Sequence, residues 1–276
     1  MLKLHEVPNR EGAGPVKPTQ CALRCYSRDI SRECYACPWQ SVKPHIFAGV
    51  KRARLEVVNK AGSMADRAYE ALKRDILRCR FRPGSLILDT ALAEEYGMSR
   101  TPIREAINVL RREGLVVVIP RRGTLVKPID FGELQDTYRM RALLEPEAAV
   151  LASHRATAEE LENLEALSAA STNPDFDRQT RNEMNRILHV QIAELSRIPV
   201  LAQTVKTLHE EIERFLNYQG KQGQPYKATN HGKLVEVIKN GSEDEIRDTV
   251  SSGIERSRKH MLVGLMDGEP SRKSCP

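Results

Sequence analysis

A group of side chains between residues 99 and 112 has the types and spacing needed to hydrogen-bond the edges of DNA bases. On a predicted helix the polar members of this group are Arg100, Thr101, Arg104, Asn108 and Arg111. An arginine can bond both major-groove acceptors of guanine, and an asparagine can bond both groups that adenine presents there. The other side of the helix carries an apolar stripe at i, i+3, i+4 and i+7, formed by Ile103, Ala106, Ile107 and Leu110. The segment therefore predicts one buried face and one face suited to a major groove.

A second cationic feature follows this helix. The β-branched run LVVVI at 115–119 is too short for a helix, and TLVKP at 124–128 is typical of a strand returning beside it. Between the two strands, the tip of a predicted hairpin consists of Pro120, Arg121, Arg122 and Gly123. Arginines at such a tip are suited to the DNA backbone and the minor groove. The hairpin is therefore a candidate wing.

Helix-end signals position the cationic helix. Asp89 is predicted to cap a short helix that ends at Gly97, and Ser99 is predicted to cap the longer helix that Gly114 ends. Pro102 falls in the first helical turn, where a missing N–H has no partner to lose. A short helix, a tight turn, a longer helix and a basic hairpin predict a winged helix-turn-helix domain. The alternative is a small α+β domain with a solvated basic helix.

Two further segments complete the organisation of the chain. Apolar spacing predicts a helix from Met64 to about residue 79, and a short strand at 86–88 is expected to pair with the hairpin. Residues 130–266 show helical periodicity and capping boxes but no strand pattern, which predicts six helices in an antiparallel bundle. The expected fold class is mainly α, with an N-terminal winged helix-turn-helix domain and a C-terminal antiparallel all-helical bundle.

The segments LKRDILRCRFRPGSLI and LAEEYGMSRTPIREAINVLRREGLV resemble the N-terminal domain of GntR-type transcription regulators. Residues 130–266 resemble the FCD effector domain of the FadR branch of that family. The resemblance implies a homodimer, held mainly by the helical domain, that binds a palindromic double-stranded DNA operator under the control of a small-molecule effector. It implies domains at 64–129 and 130–266, an extension at 1–63 and a tail at 267–276. Cys79 stands where family members usually have a helix-ending glycine.

Expected DNA contacts follow from the side-chain chemistry within this frame. Arg100 and Arg104 are expected to read base edges, while Ser99, Thr101 and the wing tip fix the position on the backbone and minor groove. The complete expected set is Ser99, Arg100, Thr101, Arg104, Asn108, Arg122 and Gly123.

Many FCD domains bind a divalent metal near the bundle centre, and the resemblance directs attention to Asn185 and His189 at i, i+4 and to His231. The third histidine of the family pattern falls on Gly253, which cannot ligate a metal; His260, two turns further along, is a weaker substitute. Two imidazoles and an amide oxygen make a poor divalent-metal site. We expect hydrogen-bonded histidines around a polar pocket, with a metal at Asn185, His189 and His231 as the open alternative.

Arg141 and Glu145 also lie four residues apart on a predicted helix. Either they form an intrahelical ion pair, or Arg141 holds the carboxylate of an effector. The family resemblance suggests that the effector is a small organic acid or a related metabolite. Its expected site consists of Arg141, Asn185, His189 and His231.

Charge and hydropathy narrow the class of protein. Residues 61–129 hold 13 Lys and Arg against 8 Asp and Glu, whereas residues 130–276 hold 19 against 24. A cationic module joined to an acidic one suits phosphate binding at one end only.

No apolar run approaches the ~20 residues of a membrane helix and no secretory signal is evident, so a cytoplasmic protein is expected. A ligand-independent DNA-binding protein and a metal-dependent enzyme are the alternatives, but no nucleophile motif or phosphate-binding glycine loop supports an enzyme.

Residues 1–60 hold 11 Lys and Arg and five prolines without a sustained period, which predicts a disordered basic extension. Four cysteines in this segment have a spacing that a zinc ion could use, namely Cys21, Cys25, Cys34 and Cys37. Few apolar residues surround them, which disfavours a zinc site. A translation start at Met64 is the other interpretation of this segment.

Overall fold

Three helices and a three-stranded sheet form the winged domain. The computed structural model describes residues 62–223 and 231–266, so the predicted zinc ligands, nearly all of the extension and the tail lie outside the described residues. In chain order the elements are α1 (Met64–Leu77), β1 (Leu86–Ile87), α2 (Asp89–Glu95), α3 (Arg100–Arg112), β2 (Val116–Ile119) and β3 (Gly123–Val126). β3 lies between β1 and β2 and is antiparallel to both, which confirms the predicted pairing of the short strand with the hairpin.

The core of the winged domain lies between α1 and α3. Ala68, Leu72 and Ile76 of α1 are completely buried, as their spacing predicts. They belong to one apolar cluster with the stripe of α3. Ser63 begins α1 through a capping box, in which its side chain and that of Asp66 each bond the other's backbone N–H. Burial of the apolar stripe turns the other side of α3 towards solvent.

The helix ends differ from the prediction in two details. Leu88, not Asp89, is the N-cap of α2, and the Asp89 carboxylate accepts a hydrogen bond from Nε of Arg104 at 2.9 Å. Ser99 is the N-cap of α3 as predicted, but its side chain makes no capping hydrogen bond. Gly97 has a φ of +61°, the left-handed conformation expected at the turn between these helices.

Six helices form the second domain of the described chain. They are α4 (Phe131–Arg155), α5 (Ala158–Thr172), α6 (Arg178–Leu195), α7 (Pro199–Lys221), α8 (Gly232–Asn240) and α9 (Glu243–Met266). Each helix contributes to a single core cluster, represented in order by Leu134, Leu164, Leu188, Ile212, Leu234 and Ile246. With the winged domain before them, these helices confirm the predicted fold class. None of the described helices has the length and apolar character needed to cross a bilayer.

Polar side chains of α7 hold the junction between the two domains. Nδ2 of Asn217 donates a hydrogen bond to the carbonyl of Leu77, at the end of α1, at 3.0 Å. The guanidinium of Arg214, which is completely buried, donates to the carbonyls of Lys127 and Pro128 in the segment that connects the domains. The junction is therefore fixed by directed hydrogen bonds.

Cys79 follows α1 at this junction. Its φ of +52° is a left-handed conformation that is uncommon for residues with a side chain, in line with the glycine that the resemblance places there. The thiol is buried and lies 3.3 Å from the carbonyl oxygen of Arg214. A left-handed cysteine costs on the order of 1 kcal/mol relative to glycine, which the buried contact with α7 helps to offset.

Candidate functional site

The outward face of α3 presents its polar row to solvent. All five side chains are exposed: Arg100, Thr101, Arg104, Asn108 and Arg111. Arg104 keeps 65% of its side-chain surface exposed while it pairs with Asp89. An exposed ion pair contributes little to stability. Arg104 can therefore exchange Asp89 for a base edge at small cost.

The wing tip exposes two arginines on a tightly constrained turn. The N–H of Arg122 donates to the carbonyl of Ile119 at 3.0 Å, and Arg121 has a φ of +63°. Both arginine side chains are exposed. Gly123 has a φ of +120°, and a Cβ at this position would lie 2.7 Å from the carbonyl oxygen of Ile87. The backbone therefore requires glycine at position 123.

Four titratable side chains meet at the centre of the helical domain. They are Glu145 of α4, His189 of α6, His209 of α7 and His231, the N-cap of α8. Nε2 of His209 lies 2.8 Å from Oε1 of Glu145, and Nδ1 of His189 lies 2.9 Å from Oε2. The Nε2 atoms of His189 and His231 are 3.2 Å apart. Arg141 donates from Nε to Oε1 of Glu145 at 2.5 Å, so the intrahelical ion pair is present.

Burial and charge set the protonation of this cluster. Burial alone raises the pKa of Glu145, but Arg141, His209 and His189 outweigh it and hold the pKa well below its usual range. Burial lowers the pKa of His209 to about 3, and it lowers the pKa of His231 well below its usual value. At neutral pH the centre is therefore a charged Arg141–Glu145 pair with neutral His209 and His231 beside it.

Two buried acceptor atoms in the centre have no hydrogen-bond donor among the described residues. Neutral His209 donates from Nε2 to Glu145, so its buried Nδ1 carries a lone pair, and it has no partner among the described residues. Oε2 of Glu145 also has no aligned donor in the described part of the chain, despite its short distance to His189. A cavity of about 10 Å³ lined by Glu145, His189 and apolar side chains adjoins it. This space suits one water molecule.

A divalent metal ion does not fit the centre in this arrangement. Three side chains have ligand atoms within 4.8 Å of one another, namely Glu145, His189 and His209. However, the rings of His189 and His209 stack, with centroids 4.3 Å apart and 20° between their planes. Nearly parallel rings cannot both direct in-plane lone pairs at one ion. Gly253 offers no ligand, and the facing nitrogens of His189 and His231 supply only two of the four that a zinc site needs.

The structure brings some of the predicted site residues together and leaves others apart. His189 and His231 meet as expected, and Asn185 lies half-buried one turn before His189. His260 is exposed and does not belong to the buried centre, so it does not replace the missing ligand. His209 is absent from the predicted site. The signal for it is its position on the apolar stripe of α7, where a polar side chain must find a buried partner.

An outward cationic helix, a basic wing and a separate helical domain with a polar centre define the class: a winged-helix DNA-binding regulator. Comparison with known proteins gives the family. Residues 64–126 match the model for bacterial regulatory proteins of the gntR family, and residues 136–256 match the FCD domain. The chain belongs to the GntR family of DNA-binding transcription regulators and carries an FCD domain.

Relatives and solved structures agree with this assignment. The chain is 30% identical over 173 residues to the HTH-type transcriptional regulator McbR of Escherichia coli, an alignment that covers 61% of this chain and 75% of the relative. It is 29% identical over 183 residues to the Nta operon transcriptional regulator of Aminobacter aminovorans, covering 66% and 87%. The structure of E. coli McbR/YncC has the same fold, with a TM-score of 0.61 at 21% identity over 74% of this chain and 99% of that one.

Proposed function

We propose that the protein is a homodimeric transcription regulator whose affinity for a palindromic operator is controlled by a small molecule bound in the helical domain. One observation supports the proposal that a ligand controls DNA binding. The buried polar centre of the helical domain has unused hydrogen-bonding capacity, and it is built partly from α7, the helix that also holds the junction to the winged domain. A ligand at this centre acts on DNA only if it binds two arrangements of the winged domain unequally.

In the proposed complex, α3 enters the major groove. Arg100, Arg104 and Asn108 contact base edges, because they are exposed, long enough and chemically matched to guanine and adenine. Ser99 and Thr101 lie at the N-terminal end of α3 and contact phosphates there. The wing tip, with Arg122 and Gly123, approaches the minor groove.

An exposed apolar surface on the helical domain supports the homodimer. Met140 and Leu143 of α4 are 40% and 72% exposed, and Ile198 and Val200 at the start of α7 are 40% and 78% exposed. The neighbouring Leu144 and Leu201 pack against one small apolar cluster, which brings the two groups together. A second copy of the chain is proposed to cover this surface.

Sedimentation tests this dimer surface. The variant Leu143→Glu should sediment as a monomer, and the control Leu86→Glu on the wing sheet should remain an unchanged dimer.

The proposed effector is a small organic acid. Arg141 donates from Nε to Glu145, and the terminal nitrogens of its guanidinium are donors of the kind that suit a carboxylate. His189, His231 and Asn185 supply further polar groups. The cavity of about 10 Å³ has room for no more than one water molecule, so an acid must separate some of these side chains in order to bind.

A thermal-shift screen of carboxylate metabolites on chelator-treated and metal-loaded protein tests this proposal. We expect one carboxylate to stabilise the chelator-treated protein, and His189→Ala and Arg141→Ala to abolish the effect. Arg139→Ala is the control, because Arg139 forms only an exposed pair with Asp136. Stabilisation by nickel, zinc or manganese alone would instead demonstrate a metal centre. No response to either class would favour ligand-independent DNA binding.

A further inference from the structure

Lys73 of α1 lies at the domain junction and holds three polar partners. Nζ is 2.8 Å from Oε2 of Glu113, 2.9 Å from Oε1 of Glu210 and 3.0 Å from the hydroxyl of Tyr69. That hydroxyl donates to Oε1 of Glu113 at 2.7 Å. The Lys73 side chain is only 10% exposed, so its three donors are all directed at protein atoms. The position of the ammonium is therefore set by two carboxylates on two different elements.

The two carboxylates belong to the two parts of the proposed function. Glu113 is the C-cap of α3 and so marks the end of the recognition helix. Glu210 lies on α7 directly after His209, whose ring bonds Glu145 at the centre of the helical domain. Neighbouring helical residues point about 100° apart, so this turn of α7 directs one side chain to the centre and the next to Lys73. Lys73 thus pairs both with the residue that ends α3 and with the residue that follows His209 on α7.

Other contacts at the junction reach different elements. Arg78, the C-cap of α1, pairs with Glu183 of α6 at 2.8 Å. Arg214 and Asn217 bond backbone carbonyls of the connecting segment and of α1. Among the ion pairs that join the two domains in the described chain, only those of Lys73 extend to α3.

We propose that Lys73 is a positioning residue that couples the polar centre of the helical domain to the recognition helix through Glu210 and Glu113. This inference rests on the proposed effector control and specifies its route. Glu210 moves with His209, because both belong to one turn of α7. When that turn shifts, Lys73 either gives up Glu210 or carries the end of α3 with it. The first outcome uncouples α3 from α7, and the second changes the fit of α3 to the operator.

A double-mutant cycle on operator affinity tests the route without requiring an identified effector. The disturbance of the site is His209→Asn, and the readout is the operator Kd from fluorescence anisotropy. In the wild-type background we expect His209→Asn to change Kd about 5- to 150-fold, the range typical of allosteric coupling. In Lys73→Met and in Glu113→Gln backgrounds the change should fall within about twofold, as for independent sites.

Two further variants sharpen the cycle. Glu113→Gln keeps the Lys73–Glu210 pair and removes only the charge at the end of α3, so it tests the route even if Lys73→Met fails to fold. Arg78→Met breaks a comparable pair between the domains that does not reach α3. In this matched control the effect of His209→Asn should keep its wild-type size, whereas a merely structural role of junction ion pairs would reduce it as well.

The possible results separate the route from the function on which it rests. A full His209→Asn effect retained in both Lys73→Met and Glu113→Gln would overturn the route and leave effector control standing. A reduction of equal size in Arg78→Met would also overturn it, because the coupling would then be a property of the whole junction. If His209→Asn leaves the operator Kd of otherwise wild-type protein unchanged, the proposed link between the site and DNA fails, and the route fails with it.

Discussion

The candidate site of the winged domain lies on its surface, whereas that of the helical domain lies inside its core. In the winged domain the polar residues of α3 face solvent, and the core lies behind them. In the helical domain Arg141, Glu145 and His209 lie inside the core and are 4%, 5% and 1% exposed. The exposed groups of α3 are free to bond a partner from solvent, whereas the buried groups of the helical domain depend mainly on one another for hydrogen bonds. Substitutions should therefore cost binding in the first domain and stability in the second.

The largest effect is expected from Glu145→Ala. This change leaves the buried Arg141 guanidinium without its counter-charge and removes the acceptor of His209. Loss of one partner of a buried ion pair typically costs about 3–5 kcal/mol. Urea unfolding should show a loss of that size, with Glu165→Ala as the control within about 0.5 kcal/mol, since Glu165 is half-exposed and pairs with Lys239 at the surface. A loss below about 1 kcal/mol would show that the centre does not depend on internal pairing.

A smaller effect, on binding rather than stability, is expected from Arg104→Ala. Removing the side chain should cost about 1–3 kcal/mol of operator affinity and relax the preference at one base pair. The urea midpoint should stay unchanged, because Arg104 forms only an exposed pair with Asp89. Equal losses on operator and scrambled DNA would make Arg104 a phosphate contact and weaken the contrast between the domains.

A pH-dependent effect is expected from Glu213 of α7. Burial raises the pKa of Glu213 to about 7, although Arg186, with Nε 2.6 Å from its Oε2, opposes this. The folded protein then binds this proton more tightly than the unfolded chain. The resulting stability is present below about pH 4 and is lost as the pH rises through about 7. Between these pH values the wild type should lose about 3 kcal/mol relative to Glu213→Gln, because each unit of pKa difference between the folded and unfolded states corresponds to about 1.4 kcal/mol. Parallel stability curves for the two proteins would contradict this protonation.

The smallest effect is expected from residues that belong to neither domain. A chain that starts at Met64 should keep its operator preference, and loss of the basic extension should lower only the salt-sensitive, non-specific affinity. Titrations on operator and scrambled DNA at two salt concentrations measure both quantities. Stoichiometric zinc that disappears when Cys21, Cys25, Cys34 and Cys37 are replaced would contradict the interpretation of this segment as a disordered extension.

The contrast between the domains also explains how far the sequence could predict the structure. In α3 one apolar period is enough to predict which side faces solvent, because Ile103 and Leu110 face the core and the polar side chains face away from it. In α7 the same period does not reveal the site, because His209 occupies a core position between Val205 and Ile212, where the pattern predicts an apolar side chain. Lys73 is equally hidden: next to Leu72 it has the pattern of a solvent-facing lysine, but its partner Glu210 lies in the other domain. Local periodicity cannot predict which distant charges will meet.

The reactivity of Cys79 can report whether the junction between the two domains is open or closed. Burial raises the pKa of its thiol to about 12, so almost no thiolate is present at neutral pH and alkylating reagents cannot reach the sulfur. Both barriers disappear when α1 and α7 separate, since the thiol then meets water. In protein whose other five cysteines are replaced by serine, the rate of Cys79 alkylation would therefore measure how often the junction opens. Comparing that rate with and without operator DNA would follow the motion of the junction with a single sulfur atom.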